Sequence, residues 1–294
     1  MPNTHLPIKP ILILLGLAVV WGANWAVVKI GGREMAPLFM CGMRSLIAAA
    51  CLVVWIKARG GRLFPSRALA FHGAVLGLIF GAEFGLLYVG LDYTLASRVY
   101  VLLYTAPFFA ALGAHFFLSD DKVTFWKASG LTLAFAGVAV LFVKDLSAVS
   151  GNTLPGDLMV IGAGALWGGS TVYIKKYLAG KTTPSQTLFY MVFFSALAVL
   201  GYSLAFERPM VIGLSAMGVF SMFYQSVIVS FISYLIWTEM VHQYSVTLLH
   251  AFSFFTPVFG VIISGVIMLH EPVGVGLVAA LVLVSLGMVL VNRH

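Results

Sequence analysis

The chain has 294 residues, 61% of them hydrophobic and only 9% charged, with 17 Lys and Arg against 10 Asp and Glu, and its mean hydropathy is +1.02. A water-soluble chain carries about 25% charged residues to cover its surface, so this composition excludes a soluble enzyme. It also excludes a disordered chain, which needs low hydrophobicity. The bilayer is the solvent that fits. The net charge of +7 does not point to nucleic acid, because the basic residues cluster in short segments between apolar runs. Cys41 and Cys51 share one apolar run, so no disulfide framework is expected.

A spanning helix needs about 20 mostly apolar residues. Lys9 precedes a run that begins at Ile11 and has no small-x-small cleavage site, which reads as a retained helix rather than a signal peptide. Punctuating the chain at charges, Pro and Gly predicts ten spans: 11–30, 38–57, 69–91, 97–118, 123–143, 157–178, 185–206, 213–240, 244–269 and 273–291. They leave no room for a soluble domain of useful size.

Lys and Arg set the orientation. With the N-terminus inside, the cytoplasmic segments hold Lys9, Lys57, Arg59, Arg62, Arg67, Lys122, Lys127, Lys175, Lys176, Lys181 and Arg293. The other side holds Lys29, Arg33, Arg98, Lys144 and Arg208, while Arg44 falls within a span. Both termini are therefore expected in the cytoplasm, in agreement with an even span count.

The chain also repeats itself. Trp21-Gly22-Ala23-Asn24 with Lys29 recurs as Trp167-Gly168-Gly169-Ser170 with Lys175, an offset of 146. Ala106-Pro107-Phe108 recurs as Thr256-Pro257-Val258, an offset of 150, which also brings Asp121 onto Glu271 and Gly137 onto Gly287. Residues 11–143 thus resemble residues 157–291, five spans in each, and an odd number of spans turns the second copy over in the membrane. The expected fold is an all-α polytopic membrane protein of ten transmembrane helices, arranged as two inverted five-helix repeats around a central cavity. Inverted repeats point to a secondary transporter whose solute site lies near midplane.

These features resemble the EamA-type branch of the drug/metabolite transporter superfamily over nearly the whole chain. The carriers of the resemblance are the Trp-Gly of each first span, Pro107 and Pro257, the turns at Asp121 and Glu271, the glycines of the last spans, and the stretch Phe255-Thr256-Pro257-Val258-Phe259-Gly260. The resemblance implies a ten-helix bundle whose cavity is lined by spans 1, 3, 4, 6, 8 and 9. It also implies export of amino acids or related small metabolites across the inner cell membrane, as in exporters of the YddG type, with drugs or other small organic solutes as the alternative cargo. Asp121 departs from the pattern, since a Glu is usual there.

Several residues are candidates for the work. Gly73, Gly77, Gly81 and Gly85 form a bare ridge along span three that lets another helix approach closely, either as static packing or as a sliding surface. Glu83 lies about 12 Å deep and Arg44 about 9 Å deep from the same end. A carboxylate at that depth needs a partner or a cavity, so the two are expected either to pair or to serve the solute's ammonium or a coupling proton. Trp21 and Trp167 fall mid-span, where they either line a cavity or pack. Tyr100, Tyr104, Asn24, Ser170, Gln225 and His250 are further polar candidates for substrate contact. His115 is expected to be satisfied at a span end, and His72 and His242 to face headgroups. Pro107 and Pro257 are expected to kink their spans, either at the binding region or for packing alone.

No metal-ligand spacing, phosphate-cradling loop or catalytic constellation is found. An enzyme and a cofactor are therefore not expected, and a channel, which needs rings of polar residues, is a poorer fit. The expected partners are a small-molecule substrate and the lipid bilayer, with no nucleic acid, and a monomer suffices.

Overall fold

The computed structural model describes residues 6–143, 153–263 and 274–293. Among these the regular structure is helical: α1 (Ile8–Gly31), α2 (Pro37–Ala58), α3 (Arg67–Leu91), α4 (Ala96–Leu103), α5 (Ala106–Phe117), α6 (Phe125–Leu141), α7 (Leu154–Tyr173), α8 (Pro184–Phe206), α9 (Ala216–Phe223), α10 (Tyr234–Gln243), α11 (Val246–Phe252), α12 (Phe255–Val261) and α13 (Val275–Arg293). A π-helix, Ile174–Leu178, continues α7, and a longer one, Tyr224–Ser233, joins α9 to α10. An isolated antiparallel bridge links Met35 to Val211.

Among the described residues, eight helical stretches are long and apolar enough to cross a membrane: Ile8–Gly31, Pro37–Ala58, Arg67–Leu91, Arg98–Phe117, Leu154–Leu178, Pro184–Phe206, Ala216–Gln243 and Val275–Asn292. Two shorter apolar helices, Phe125–Leu141 and Val246–Val261, stand where the fifth and ninth spans are expected. Residues 264–269 of the expected ninth span, with His270, Glu271 and Pro272, lie outside the described residues. Large apolar side chains such as Val54, Phe71, Phe116, Phe125 and Val275 are exposed, while Arg44, Glu83, Gln225 and His250 are buried. That distribution reverses a soluble globule and suits a hydrocarbon solvent.

Local chemistry sets the helix starts. Thr124, Ser215 and Ser245 each accept the backbone N–H three residues on, and Thr183 forms a reciprocal capping box with Gln186. Ala36 at the start of α2 has no side chain for this task. The Glu207 carboxylate does it instead, accepting from Leu38 N at 2.9 Å and Phe39 N at 2.8 Å, a charge placed favourably at a helix N-terminus. At the other polarity, Lys175 Nζ donates to the carbonyls of Val241 at 3.0 Å and His242 at 3.2 Å, closing the last turn of α10.

The chain divides into two compact units, each drawn from both sequence halves: one from Met1–Ala23, Val89–Val172 and Gln243–His294, the other from Asn24–Tyr88 and Tyr173–His242. In the first unit the main pairing is α6 against α13. A Cβ at Gly130 would lie 2.6 Å from the Gly287 oxygen, and one at Gly137 would lie 3.0 Å from the Ala280 oxygen. Two further close crossings follow one pattern. A Cβ at Gly22 would lie 2.7 Å from Gly260 N and 2.9 Å from Thr256 O; one at Gly168 would lie 2.7 Å from both Ala110 N and Ala106 O. Thr256 and Ala106 each immediately precede a proline. In the second unit, α2 packs on α8 and on the π-helix Tyr224–Ser233.

Both prolines do more than kink. α4 ends at Leu103 and α5 restarts at Ala106 with Pro107 in its first turn; α11 ends at Phe252 and α12 restarts at Phe255, with Pro257 two residues in. A proline costs nothing in a first turn, where its missing N–H has no partner anyway. The spans are therefore broken, and Tyr104 and Phe254 stand in the breaks with ring centroids 6.4 Å apart.

Candidate functional site

In the second unit the site is built on α2, α3 and α10. The glycine ridge of α3 seats it. A Cβ at Gly73 would fall 2.5 Å from the Tyr190 ring and one at Gly77 would fall 2.4 Å from Phe194 Cβ, whereas at Gly81 the nearest atom is 3.5 Å away and at Gly85 nothing lies within 4 Å. The ridge thus packs α3 tightly on α8 over its first two glycines and opens over the last two.

Arg44 and Glu83, expected either to pair or to serve the solute's ammonium or a coupling proton, form no ion pair with each other. Both residues are buried, Arg44 at 1% and Glu83 at 6% exposure, whereas ion pairs form elsewhere, as at Arg98–Asp157 and Lys127–Asp121. The Arg44 guanidinium lies over the Phe84 ring instead, 4.2 Å from its centroid, because the aromatic face next to Glu83 in α3 offers a cation-π surface. Phe80, Phe84, Tyr88 and Tyr234 continue the aromatic wall, with Phe80 at 4.9 Å from Phe84 and 6.0 Å from Tyr234. Nε and Nη2 of Arg44 and Oε2 of Glu83 are buried without a hydrogen-bond partner.

Gln225 is fully buried on the π-helix. Its Nε2 donates to Ser221 Oγ at 3.0 Å and meets Met40 Sδ at 3.3 Å, leaving Oε1 unpartnered. Asn24, also in this unit, has a buried Oδ1 without a partner.

In the first unit Tyr104, Trp167 and His250 come together. Trp167 meets Tyr104 edge-on with centroids 6.1 Å apart and His250 at 5.2 Å. His250 Nε2 lies 2.9 Å from Thr171 Oγ1. The Ser170 hydroxyl folds back onto the Trp167 carbonyl at 2.7 Å. Trp21 is half-buried, next to the crossing made by Gly22. Tyr100 belongs to another contact, stacking on Phe142 at 5.3 Å with planes 5° apart. The cluster presents flat apolar faces with indole, phenol and imidazole polar atoms at their edges, a surface suited to a small amphipathic molecule.

His72 and His242 each find a protein partner. His72 Nδ1 lies 2.7 Å from Tyr173 OH and its ring stacks on Tyr177 at 4.9 Å. His242 Nε2 lies 3.1 Å from Thr187 Oγ1. His115 is satisfied as expected, its Nδ1 accepting from Val123 N at 3.1 Å.

Sequence reasoning missed two charged nodes in the first unit, having treated Arg98 and Lys127 as topology charges. Arg98 holds Asp157 through Nε to Oδ1 at 3.1 Å and Nη2 to Oδ2 at 2.5 Å, and Thr94 adds a bond to Oδ1 at 2.6 Å. Lys127 Nζ reaches Asp121 Oδ1 at 2.9 Å, while Asp121 Oδ2 accepts from Thr247 N at 2.9 Å, capping α11. An Asp within the first turn of an apolar span was the available signal for Asp157. The two π-helices had none.

Exposed apolar helices with charges and aromatic clusters buried among them are the features of a multi-pass membrane protein. The EamA-like transporter family matches residues 8–143 and again 154–293, and the chain belongs to that family. Among its relatives, the uncharacterized transporter YoaV of Bacillus subtilis is 22% identical over 95% of this chain and 95% of its own length. A protein of Escherichia coli named as a probable amino-acid metabolite efflux pump is 23% identical over 88% of this chain and 87% of its own length. Its namesake in Salmonella typhimurium is 24% identical over 93% and 91%. A solved crystal structure shares the fold with a TM-score of 0.81 at 19% identity, covering 96% of both chains.

Proposed function

We propose that this chain is a secondary transporter that exports amino acids or related small metabolites across the cell membrane by alternating access. In this reading, residues 11–143 and 157–291 are five-span inverted repeats, the helices Phe125–Leu141 and Val246–Val261 complete ten spans, and both termini are cytoplasmic. The observation that carries it is the matched pair of crossings. Gly22 follows the repeat onto Gly168 at offset 146, and Ala106 and Ala110 follow it onto Thr256 and Gly260 at offset 150, with nearly equal distances at both crossings. Two copies of one arrangement can exchange conformations at similar energy, which is what alternating exposure of a solute requires. The efflux pumps among the relatives support amino-acid metabolites as the cargo.

The residues we assign to solute contact are Trp21, Tyr104, Trp167 and His250 in the first unit and, as a separate set, Asn24, Glu83 and Gln225 in the second. The test is uptake of labelled amino acids by proteoliposomes. Trp21→Ala and Trp167→Ala should each lower transport severalfold, and unchanged transport of every accepted solute would refute the assignment. Accessibility labelling should place tags at both ends of the chain on one membrane face; opposite faces would refute the inverted repeat.

A further inference from the structure

Arg44 and Glu83 are buried opposite charges that the structure leaves apart. Each keeps open the atoms that a partner would use: Nε and Nη2 on the guanidinium, Oε2 on the carboxyl. Nε and Nη2 share one edge of the guanidinium, and that edge binds a carboxylate through two parallel hydrogen bonds. The same protein shows the edge in use, since Arg98 grips both oxygens of Asp157 through Nε and Nη2. At Arg44 the edge is built and vacant of any protein carboxylate. The neighbouring Glu207 spends its two oxygens on the N-terminus of α2 and on Ser203. A buried guanidinium edge left unpaired is costly.

Building on the transport reading above, we infer that Arg44 and Glu83 are the two ends of a zwitterion site, Arg44 taking the solute's carboxylate on its Nε–Nη2 edge and Glu83 taking its ammonium. The two charges stay beyond ion-pair distance because a molecule carrying both complementary charges belongs between them. Phe80, Phe84, Tyr88 and Tyr234 form one contiguous aromatic wall, and the Arg44 guanidinium lies over its Phe84 ring. The substrate class is thus the free α-amino acid, chosen over the amine or the carboxylic acid of the same side chain, because either analogue leaves one buried charge unmatched.

The experiment compares matched solutes. The twenty α-amino acids are screened for uptake into proteoliposomes, and the one carried fastest is set against its decarboxylated amine and its deaminated acid as unlabelled competitors of the unaltered protein. Each analogue should compete at least about tenfold more weakly than the amino acid, the loss expected for one charge-assisted contact. Glu83→Gln should raise the KM for the amino acid about tenfold and leave competition by the deaminated acid unchanged; Arg44→Lys, which keeps the charge but loses the edge, should do the same with the amine as the unchanged competitor. Equal competition by all three solutes overturns the inference, even if a variant fails to fold. So do variants that weaken all three solutes alike. If another class of solute is carried and no amino acid is, the cargo reading falls together with this one; if amino acids are carried without discrimination, only this inference falls.

Discussion

Gly130 in α6 and Gly287 in α13 meet backbone to backbone: a Cβ on either would lie 2.5–2.6 Å from the other's carbonyl oxygen. Neither oxygen can yield as a flexible side chain would, so the two helices must separate to admit even a methyl group. Gly130→Ala or Gly287→Ala should cost about 1–3 kcal/mol of stability, read as a lowered thermal midpoint in detergent. Gly85→Ala is the control. It has open space around its Cβ position, and its midpoint should hold or rise, as a helical Gly→Ala change in open space predicts.

Asp121 and Lys127 form a nearly buried pair, at 3% and 8% side-chain exposure. Asp121→Ala should destabilise by about 3–5 kcal/mol, because it leaves the ammonium uncompensated. The double variant Asp121→Ala with Lys127→Met should recover part of that loss but not all, since Thr247 N still lacks its acceptor. A denaturation cycle of the two single variants and the double variant measures the difference.

Arg98 reaches Asp157 with two donors on one edge, and lysine can supply only one point of contact. Arg98→Lys should therefore cost about 1 kcal/mol, a modest figure because the pair keeps 15% and 11% side-chain exposure. Proteolysis in the Thr94–Arg98 segment should rise in step.

Glu34 lies between α1 and α2, where Ser215 donates to it from its hydroxyl at 2.5 Å and its backbone N–H at 2.8 Å. Those bonds hold the Glu34 carboxyl below its ordinary value of 4.5. A carboxyl depressed on folding contributes its stabilisation fully above its unfolded value and loses it as the pH falls through the folded one. Hydrogen-exchange protection of the Ser215 amide should be level near neutrality and decline only in acid, below about pH 4.5. In Glu34→Gln that acid decline should be absent.

Much of the fold was legible in the sequence. The runs 38–57, 69–91 and 185–206 reappear as Pro37–Ala58, Arg67–Leu91 and Pro184–Phe206, because an apolar run long enough for the bilayer is a local property that needs no tertiary context. The Trp-Gly and Pro landmarks were legible too, but their purpose was not. Only the structure places Gly22 and Gly168 against the residues around Pro257 and Pro107. The aromatic grouping was half readable: Tyr104, Trp167 and His250 meet, while Tyr100, one helical turn from Tyr104, turns to Phe142.

Hydrophobic length, charge placement and repeated motifs are written along the chain, so the bilayer setting, the series of apolar helices and the family could be read from residue order alone. The tertiary structure decided which charges meet. Arg44 lies over Phe84 rather than on Glu83, and Arg98 finds Asp157 across 59 residues. Depth along a helix can be counted from the sequence, but the direction a side chain points is set by the helices packed around it.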